Sequence, residues 1–361
     1  MDVDAIGDGT PPAGGTPATG DQAAAAKPAT IYDVARAAGV SHQTVSRFLK
    51  GYEGIRPHTR EKVVKALAEL KYQPNLTARS LKSGRSHRIA ALTHEIDQVG
   101  PSRIVQGASV AAREAGYMLD IVTLDMTDDD AIQEAIGLIT QLDIAGVLAL
   151  ASNDAMTEAF EQTEFRVPAL LAVEEDDART GHKTELSAVG FPSLIAYLAG
   201  LGHTSFLHIA GPRAWSSSRN RSRAYEGSLA ERGLTSTGIV HGDWSAKSGY
   251  DAIMSIAEDL RATVVVAAND QMALGAMLAL TELGLHVPED VSVTGVDDIP
   301  EAAYFSPPLT TLRVDFAAQG RSVVRELLSR VDQTPPKRRA PALQTELVIR
   351  KSTTWAAGTA P

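Results

Sequence analysis

The sequence contains no cysteine among its 361 residues, which excludes disulfides, thiolate metal sites and cysteine nucleophiles. It also lacks any uncharged apolar run of about 18 residues, so no membrane-spanning helix is expected. A basic start followed by an apolar stretch is missing from the N-terminus, so a secretory signal is not expected. Together these absences predict a cytoplasmic protein that has no membrane partner.

Sequence motifs typical of enzymes are missing as well. There is no phosphate-binding G-x-x-x-x-G-K, no zinc-binding H-E-x-x-H and no nucleophile motif G-x-S-x-G. We therefore predict a non-enzymatic protein with no cofactor and no metal. Aromatic residues make up only 5% of the chain, so we expect a core built from aliphatic side chains and alanine.

Charge is distributed unevenly along the chain, whose net charge is −10. Residues 1–26 carry four Asp and no Lys or Arg, whereas residues 27–88 carry 13 Lys/Arg against four Asp/Glu. Residues 89–361 are acidic, with 21 Lys/Arg against 36 Asp/Glu. A short basic segment attached to an acidic body indicates a nucleic-acid-binding module, although a basic solvated surface would show the same pattern.

The composition predicts five segments. Residues 1–27 are rich in Gly, Ala, Thr and Pro and are expected to be a disordered tail. Residues 28–73 carry the signals of three short helices, and residues 74–87 form a linker. Residues 88–352 are expected to form a large α/β body, followed by a second tail at 353–361.

The three N-terminal helices have the spacing of a helix-turn-helix. Thr30 can cap the first helix, Gly39 ends it, and Ser41 can cap the second. We expect the third helix at about Thr59–Lys71. In the second helix the apolar positions turn inward, so His42, Gln43, Ser46 and Arg47 project outward, with Thr44 at the flank. Gln suits adenine and Arg suits guanine in the major groove, although the same residues could simply face solvent.

The body alternates apolar strands with amphipathic helices. Strands are predicted at Ile89–Leu92, Met118–Leu124, Ala145–Ala151, Val167–Val173, Phe206–Ala210, Val264–Ala268, Val291–Val296 and Leu309–Val314. Helices are predicted at Ser102–Ala115, Asp129–Leu142, Ser193–Leu201, Ser218–Arg232, Lys247–Leu260 and Asp270–Leu283. This alternation predicts two doubly wound lobes with parallel sheets, and a ligand site between them at the carboxyl ends of the strands.

Polar residues that could bind a polyol follow several of these strands. Arg221, Asn269 and Asp297 can supply a guanidinium, an amide and a carboxylate to vicinal hydroxyls. Trp244 could cover the apolar face of a ring. Alternatively, Asn269 caps the following helix, Arg221 pairs with Glu226, and Trp244 belongs to the core.

Several motifs resemble the lactose-repressor (LacI/GalR) family. They are Thr30–Ala35, Ala38–Ser41, Gln43–Arg47, Thr59–Val63 and Leu70–Asn75 in the basic segment, and Gly242–Ala246, Ala268–Ala276 and Pro307–Thr311 in the body. The resemblance implies a small all-α helix-turn-helix domain followed by an α/β periplasmic-binding-protein-like body of two lobes. It further implies a homodimer that binds double-stranded operator DNA and is associated with the nucleoid when bound. Because no leucine heptads precede Pro361, we expect a dimer and not a tetramer.

The resemblance also assigns site residues. The implied DNA contacts are Thr30, Tyr32, Ser41, His42, Gln43, Thr44, Ser46 and Arg47, together with Asn75, Ala78 and Leu81 of a hinge helix whose leucine enters the minor groove. The implied effector contacts are Arg221, Asn269 and Asp297 for sugar hydroxyls, Trp244 and Phe316 for the ring, and Pro101, Ile104 and Ser217 for the pocket lining. The expected function is a repressor whose operator affinity falls when a galactoside- or glucoside-like sugar binds. The alternative is a corepressor-type regulator that binds a purine or another small molecule.

The chain departs from the family pattern at a few positions. Val173 stands where sugar-binding members carry an acidic contact, and Glu174, Glu175 or Asp176 could substitute for it. His94 and Gln319 also differ in character near the expected pocket. Arg56 replaces a small serine cap before the third helix.

Overall fold

The computed structural model describes residues 29–49, 51–72, 85–94, 98–150, 153–171, 174, 176–334 and 345–359. The predicted N-terminal tail through residue 27 lies outside these residues, as do Asn75, Ala78 and Leu81 of the hinge, and Val173 and Glu175. The chain divides into two compact units, residues 1–83 and residues 84–361. Within the described ranges, none of the helices is long and apolar enough to cross a membrane.

The first unit contains three helices, α1 (Ile31–Ala38), α2 (His42–Leu49) and α3 (Pro57–Glu69). They enclose a small core in which Val34, Val45 and Val63 are fully buried. Gly39 ends α1 with φ 63°, a left-handed conformation that glycine adopts without steric cost. The predicted helix-turn-helix is therefore confirmed.

The third helix begins two residues earlier than the sequence predicted. Pro57 occupies its first turn, where the fixed φ of proline favours helix initiation and the missing N–H has no cost. Arg56 precedes it without a side-chain cap. Proline thus starts the helix in the absence of a capping serine.

The second unit contains two sheets. The first has the order β2-β1-β3-β4, formed by β1 (Arg88–His94), β2 (Met118–Leu124), β3 (Gly146–Ala149) and β4 (Ala169–Leu171). The second has the order β10-β9-β8-β7-β5-β6, formed by β5 (Ser205–Ala210), β6 (Thr235–His241), β7 (Val264–Ala267), β8 (Ser292–Asp297), β9 (Thr310–Val314) and β10 (Thr345–Val348). All pairings are parallel except that of β10 with β9, which is antiparallel. The first lobe is built around β1–β4 and the second lobe around β5–β10. The predicted α/β body of two lobes is confirmed.

Helices cover these sheets. They are α4 (Val99–Glu114), α5 (Asp129–Thr140), α6 (Asp154–Gln162), α7 (Asp177–Thr180), α8 (Phe191–Gly200), α9 (Ser216–Ala230), α10 (Ala246–Met254), α11 (Asp270–Glu282) and α12 (Phe316–Val331). The chain returns from the second sheet to the first lobe through α12, which packs against α4. Beyond β10 it runs back along β8, where the Ser352 hydroxyl donates to the Val293 carbonyl over 2.6 Å.

Five of these elements were not predicted from the sequence: α6, α7, α12, β6 and β10. The edge strand β6 exposes its first three residues, so it lacks the continuous apolar run of the buried strands. The predicted helix Lys247–Leu260 is also shorter than expected, because α10 ends at Met254 and is followed by a separate 3-10 turn, Ala257–Asp259.

Candidate DNA-binding surface and ligand cavity

The second helix of the first unit presents a polar face opposite its buried residue. Val45 is fully buried, whereas Gln43 and Arg47 are exposed and His42 and Ser46 are half-buried. The separation of these two faces follows from the 3.6-residue helical period. The residues predicted to contact DNA bases from α2 therefore share one accessible side.

The other predicted DNA contacts among the described residues lie at the N-terminal ends of α1 and α2. Thr30 forms a capping box with Asp33, whose carboxylate accepts from the Thr30 hydroxyl over 2.6 Å. Ser41 accepts from the Thr44 backbone N–H over 3.2 Å and shares a 2.9 Å side-chain hydrogen bond with Thr44. Tyr32 is exposed and its ring centroid lies 5.2 Å from that of His42. Thr30, Ser41 and Thr44 thus shape the helix ends, where backbone N–H groups also favour anions.

A cavity of about 110 Å³ lies between the two lobes of the second unit, at the carboxyl ends of the strands. All eight residues predicted to contact an effector line it: Pro101, Ile104, Ser217, Arg221, Trp244, Asn269, Asp297 and Phe316. They come from elements that are far apart in the sequence and are brought together by the parallel strands.

Asp297 and Arg221 are two charged residues that line this cavity. Asp297 is 7% exposed, and its Oδ1 is buried without a hydrogen-bond partner among the described residues. Burial raises the pKa of Asp297 to about 6, although Arg221 and Arg103 act in the opposite direction. Arg221 donates from Nη1 to the Ala268 carbonyl, while its Nε is buried and unpartnered within the described ranges. A buried polar atom without a hydrogen-bond partner costs free energy. Such atoms are typical of sites where a bound ligand supplies the missing partner.

The three alternatives raised by the sequence have different outcomes. Asn269 does cap α11, since its Oδ1 accepts from the Met272 N–H over 2.9 Å, yet it also lines the cavity. Trp244 is 6% exposed and packs in a core cluster while forming part of the cavity wall. Among the ion pairs of the described residues, Arg221 has none with the exposed Glu226.

Aromatic rings form the apolar wall of the cavity. The Arg221 guanidinium carbon lies 5.3 Å from the Trp244 ring centroid, and Trp215 contacts Trp244 edge to face at 6.4 Å. Trp244 and Asp297 both have positive φ values, 76° and 113°, which are costly for side chains of this kind. A Cβ atom on Gly211 would lie 2.3 Å from the Trp244 ring, so glycine is required there for the ring to reach its position.

Several lining residues were not assigned from the sequence. They are Gln98, Val99, Gly100, Leu150, Trp215, Ser216 and Gln271. Glu174, suggested above as a substitute for the acidic contact, and Gln319, a departure from the family pattern, also line the cavity. His94 lies behind the wall, with its ring centroid 5.2 Å from that of Trp215. Leu150 directly follows β3 and Ser216 begins α9, but neither position separates these residues from others near the strand ends.

The two lobes are also joined beside the cavity by an ion-pair network. Arg219 of α9 donates from Nη1 and Nη2 to the two oxygens of Asp154 of α6, both over 2.9 Å. Its Nε donates to Asp176, which also pairs with Arg223. The Asp154 side chain is exposed, so this pair contributes little stability by itself.

Two family models match the two units separately, and whole relatives match nearly the full chain. Residues 30–75 match the family described as bacterial regulatory proteins, lacI family. Residues 195–353 match the periplasmic binding protein-like domain. The Lactose operon repressor of Escherichia coli (strain K12) is 34% identical over 331 residues, covering 91% of this chain and 91% of the repressor. The HTH-type transcriptional repressor PurR of Vibrio campbellii is 31% identical over 339 residues, covering 90% of this chain and 98% of that protein.

Solved structures agree with these relatives. The lac repressor dimer bound to operator and the anti-inducer ONPF has a TM-score of 0.78 and 34% identity, and covers 91% of this chain and 100% of that chain. A complex of the transcriptional regulator CelR with cellobiose has a TM-score of 0.64 and 28% identity, and covers 90% of this chain and 99% of that chain. With its helix-turn-helix, its two-lobed body and relatives along nearly its whole length, the chain belongs to the lacI family of DNA-binding transcriptional repressors.

Proposed function

We propose that this repressor binds a neutral saccharide in the cavity between its lobes and then releases its operator. The observation that carries the proposal is that Asp297 Oδ1 and Arg221 Nε belong to residues lining the cavity and are buried without partners among the described residues. A hydroxyl group has one donor and two acceptor sites, so adjacent hydroxyls can satisfy the carboxylate and the guanidinium together. The Trp244 and Phe316 rings then cover the apolar face of the sugar ring.

The DNA-bound form is a homodimer in this proposal. Each helix-turn-helix contacts one half-site of a near-palindromic operator, with Gln43 and Arg47 contacting base edges from α2. The hinge residues Asn75, Ala78 and Leu81 order at the centre of the site, and Leu81 enters the minor groove. Support comes from the exposed polar face of α2 and from the dimeric, operator-bound structure of the lac repressor.

Ligand binding is coupled to DNA binding through the relative position of the lobes. A saccharide that contacts Pro101 and Ile104 of the first lobe and Arg221 and Asp297 of the second favours one arrangement of the lobes. A coupling free energy of about 1–3 kcal/mol is enough to change operator affinity roughly 5- to 150-fold. The ion pair between Arg219 and Asp154 spans the lobes, so a change in their relative position acts on this pair as well.

The test is fluorescence anisotropy of a labelled operator drawn from the DNA upstream of the protein's own gene. The titration is repeated with galactosides, glucosides and purine bases at fixed salt near physiological, since phosphate contacts make affinity salt-dependent. We expect one class of neutral saccharide to weaken binding at least fivefold. Operator binding that no saccharide changes would contradict the effector part of the proposal and leave the DNA-binding part standing.

A second candidate is a corepressor response to a purine. It is favoured by the PurR relatives at about 31% identity. Arg221 and Asp297 can also pair with the donor and acceptor edge of a base, and Trp244 can stack on it. In the same titration a purine corepressor would tighten operator binding, which is the opposite sign from saccharide induction.

A further inference from the structure

The crossover after β4 supplies a second carboxylate to the cavity. Glu174 lines the cavity and lies just beyond β4, which ends at Leu171. Its backbone carbonyl accepts from the Ser216 hydroxyl at the start of α9, which attaches the crossover to the second lobe. Asp176 is unavailable for a ligand because it caps α7 and pairs with Arg219 and Arg223. Glu174 is therefore the acidic residue of this segment that reaches the cavity within the described ranges.

The carboxylate of Glu174 is held through one of its two oxygens. Oε1 accepts from Asn220 Nδ2 over 3.0 Å and from the Thr184 hydroxyl over 3.4 Å. Asn220 is fully buried, so this donor is fixed by its surroundings. Oε2 has no hydrogen-bond partner among the residues that the structure describes. The side chain is thus oriented by the protein while one acceptor remains open at the cavity.

Two carboxylates then share one guanidinium in the same cavity. Arg221 lowers the pKa of both Glu174 and Asp297, whereas burial, the larger effect at each, raises it. An ionised carboxylate only accepts hydrogen bonds, so a ligand has to supply a donor to each of the two acids. A ligand bearing its own negative charge would meet repulsion from each of these acids that is ionised, in a poorly solvated site. Separate hydroxyls on one uncharged molecule meet these requirements.

We propose that Glu174 is a specificity-determining residue whose Oε2 accepts from a ligand hydroxyl different from the one that Asp297 binds. The cavity consequently selects neutral saccharides with free hydroxyls at two positions and rejects sugar phosphates and sugar acids. This inference rests on the proposed saccharide response, which it makes more specific. Glu174→Gln tests it, because the amide oxygen keeps an acceptor for Asn220 while the NH2 group replaces the Oε2 acceptor and removes the charge.

Isothermal titration calorimetry on the full chain without DNA is the measurement. The probes are methyl β-galactoside, methyl β-glucoside, lactose, cellobiose, the 6-phosphates of galactose and glucose, and adenine and guanine. For the best neutral probe we expect Glu174→Gln to weaken affinity about 10- to 100-fold, as for a lost charge-assisted hydrogen bond. Discrimination against the corresponding 6-phosphate should fall about tenfold or more. Asp177→Asn is the matched control, since it removes one charge from the same segment at a residue that does not line the cavity.

A second measurement on the parent protein does not depend on the variant being folded. Monodeoxy analogues of the best probe are titrated, and two different hydroxyl positions should each weaken affinity about tenfold or more when removed. In the Glu174→Gln variant, removal of one of these two hydroxyls should no longer weaken affinity, because Glu174 and the hydroxyl that it binds act as a coupled pair.

The outcomes separate this inference from the saccharide response. Equal affinity and equal phosphate discrimination in Glu174→Gln and the parent would overturn the role of Glu174 while saccharide binding remains. A single sensitive hydroxyl in the deoxy series would overturn it as well. If only the purine bases bind the parent, the saccharide response fails and this inference fails with it.

Discussion

Replacing Asp297 by Asn removes a negative charge that the ligand-free cavity leaves without a donor on Oδ1. Burial raises the pKa of this carboxyl from 3.8 to about 6. The folded state therefore holds the proton more tightly than the unfolded chain, and ionisation of Asp297 at neutral pH lowers stability. At about 1.36 kcal/mol per pH unit, a rise of about two units corresponds to a penalty of roughly 3 kcal/mol at pH 7.5.

We expect Asp297→Asn to raise the free energy of unfolding of the ligand-free protein by about 1–3 kcal/mol at pH 7.5. The asparagine still requires a hydrogen-bond partner, so the gain is expected to stay below the full penalty. At pH 5 the parent Asp297 is largely protonated, and the difference should shrink by about 1.4 kcal/mol. The same variant should bind a saccharide about 10- to 100-fold more weakly, because it loses a charged acceptor.

Urea unfolding followed by tryptophan fluorescence measures this at pH 7.5 and pH 5, at one fixed protein concentration because the stability of a dimer depends on it. Asp298→Asn is the matched control one residue away. Asp298 accepts from Arg313 over 2.7 Å and Arg350 over 2.6 Å, and these bonds lower its pKa against the effect of burial. Its replacement should destabilise the protein at pH 7.5. This prediction would be refuted by an Asp297→Asn variant that is no more stable than the parent, or whose gain in unfolding free energy does not change with pH. Either result would mean that the ionised carboxylate does not lack a partner that a ligand supplies.

Three further changes test other parts of the molecule. Arg47→Ala should weaken operator binding by about 1–3 kcal/mol in anisotropy titrations without changing ligand affinity, while Arg36→Ala on α1 should have a smaller effect. Gly211→Ala should lower the free energy of unfolding by about 1–3 kcal/mol and weaken ligand binding, because its Cβ would lie 2.3 Å from the Trp244 ring. Unchanged ligand affinity in calorimetry would contradict this prediction. Burial lowers the pKa of His208 to about 4, so its contribution to stability should be present above pH 6.5 and lost as pH falls toward 4. His208→Gln should therefore remove up to about 3 kcal/mol of pH dependence from the urea-unfolding free energy, and an unchanged profile would argue against it.

The sequence predicted much of the fold because local patterns reflect burial. Continuous apolar runs such as Val264–Ala267 became central parallel strands, and Gly39 marked the turn of the helix-turn-helix. The prediction was weakest at elements without such patterns, namely the half-exposed edge strand β6 and the antiparallel strand β10. Pairing with a distant strand, and not local apolarity, makes these segments strands.

The chain's own residues therefore determined that it has a basic helix-turn-helix, an α/β body and the polar groups at its strand ends. Only the tertiary structure decided which of those groups stay unpaired. The amide oxygen of Asn269 accepts the hydrogen bond that caps α11. Asp297 and Glu174, in contrast, each have one oxygen without a partner among the described residues. The partners come from separate parts of the chain: Asn220 donates to the other oxygen of Glu174, and the Trp244 carbonyl accepts from Asn269 Nδ2 over 2.8 Å. Sequence periodicity predicts which residues of each segment are buried. Which polar atoms at the cavity have hydrogen-bond partners depends on contacts between segments that are far apart in the chain.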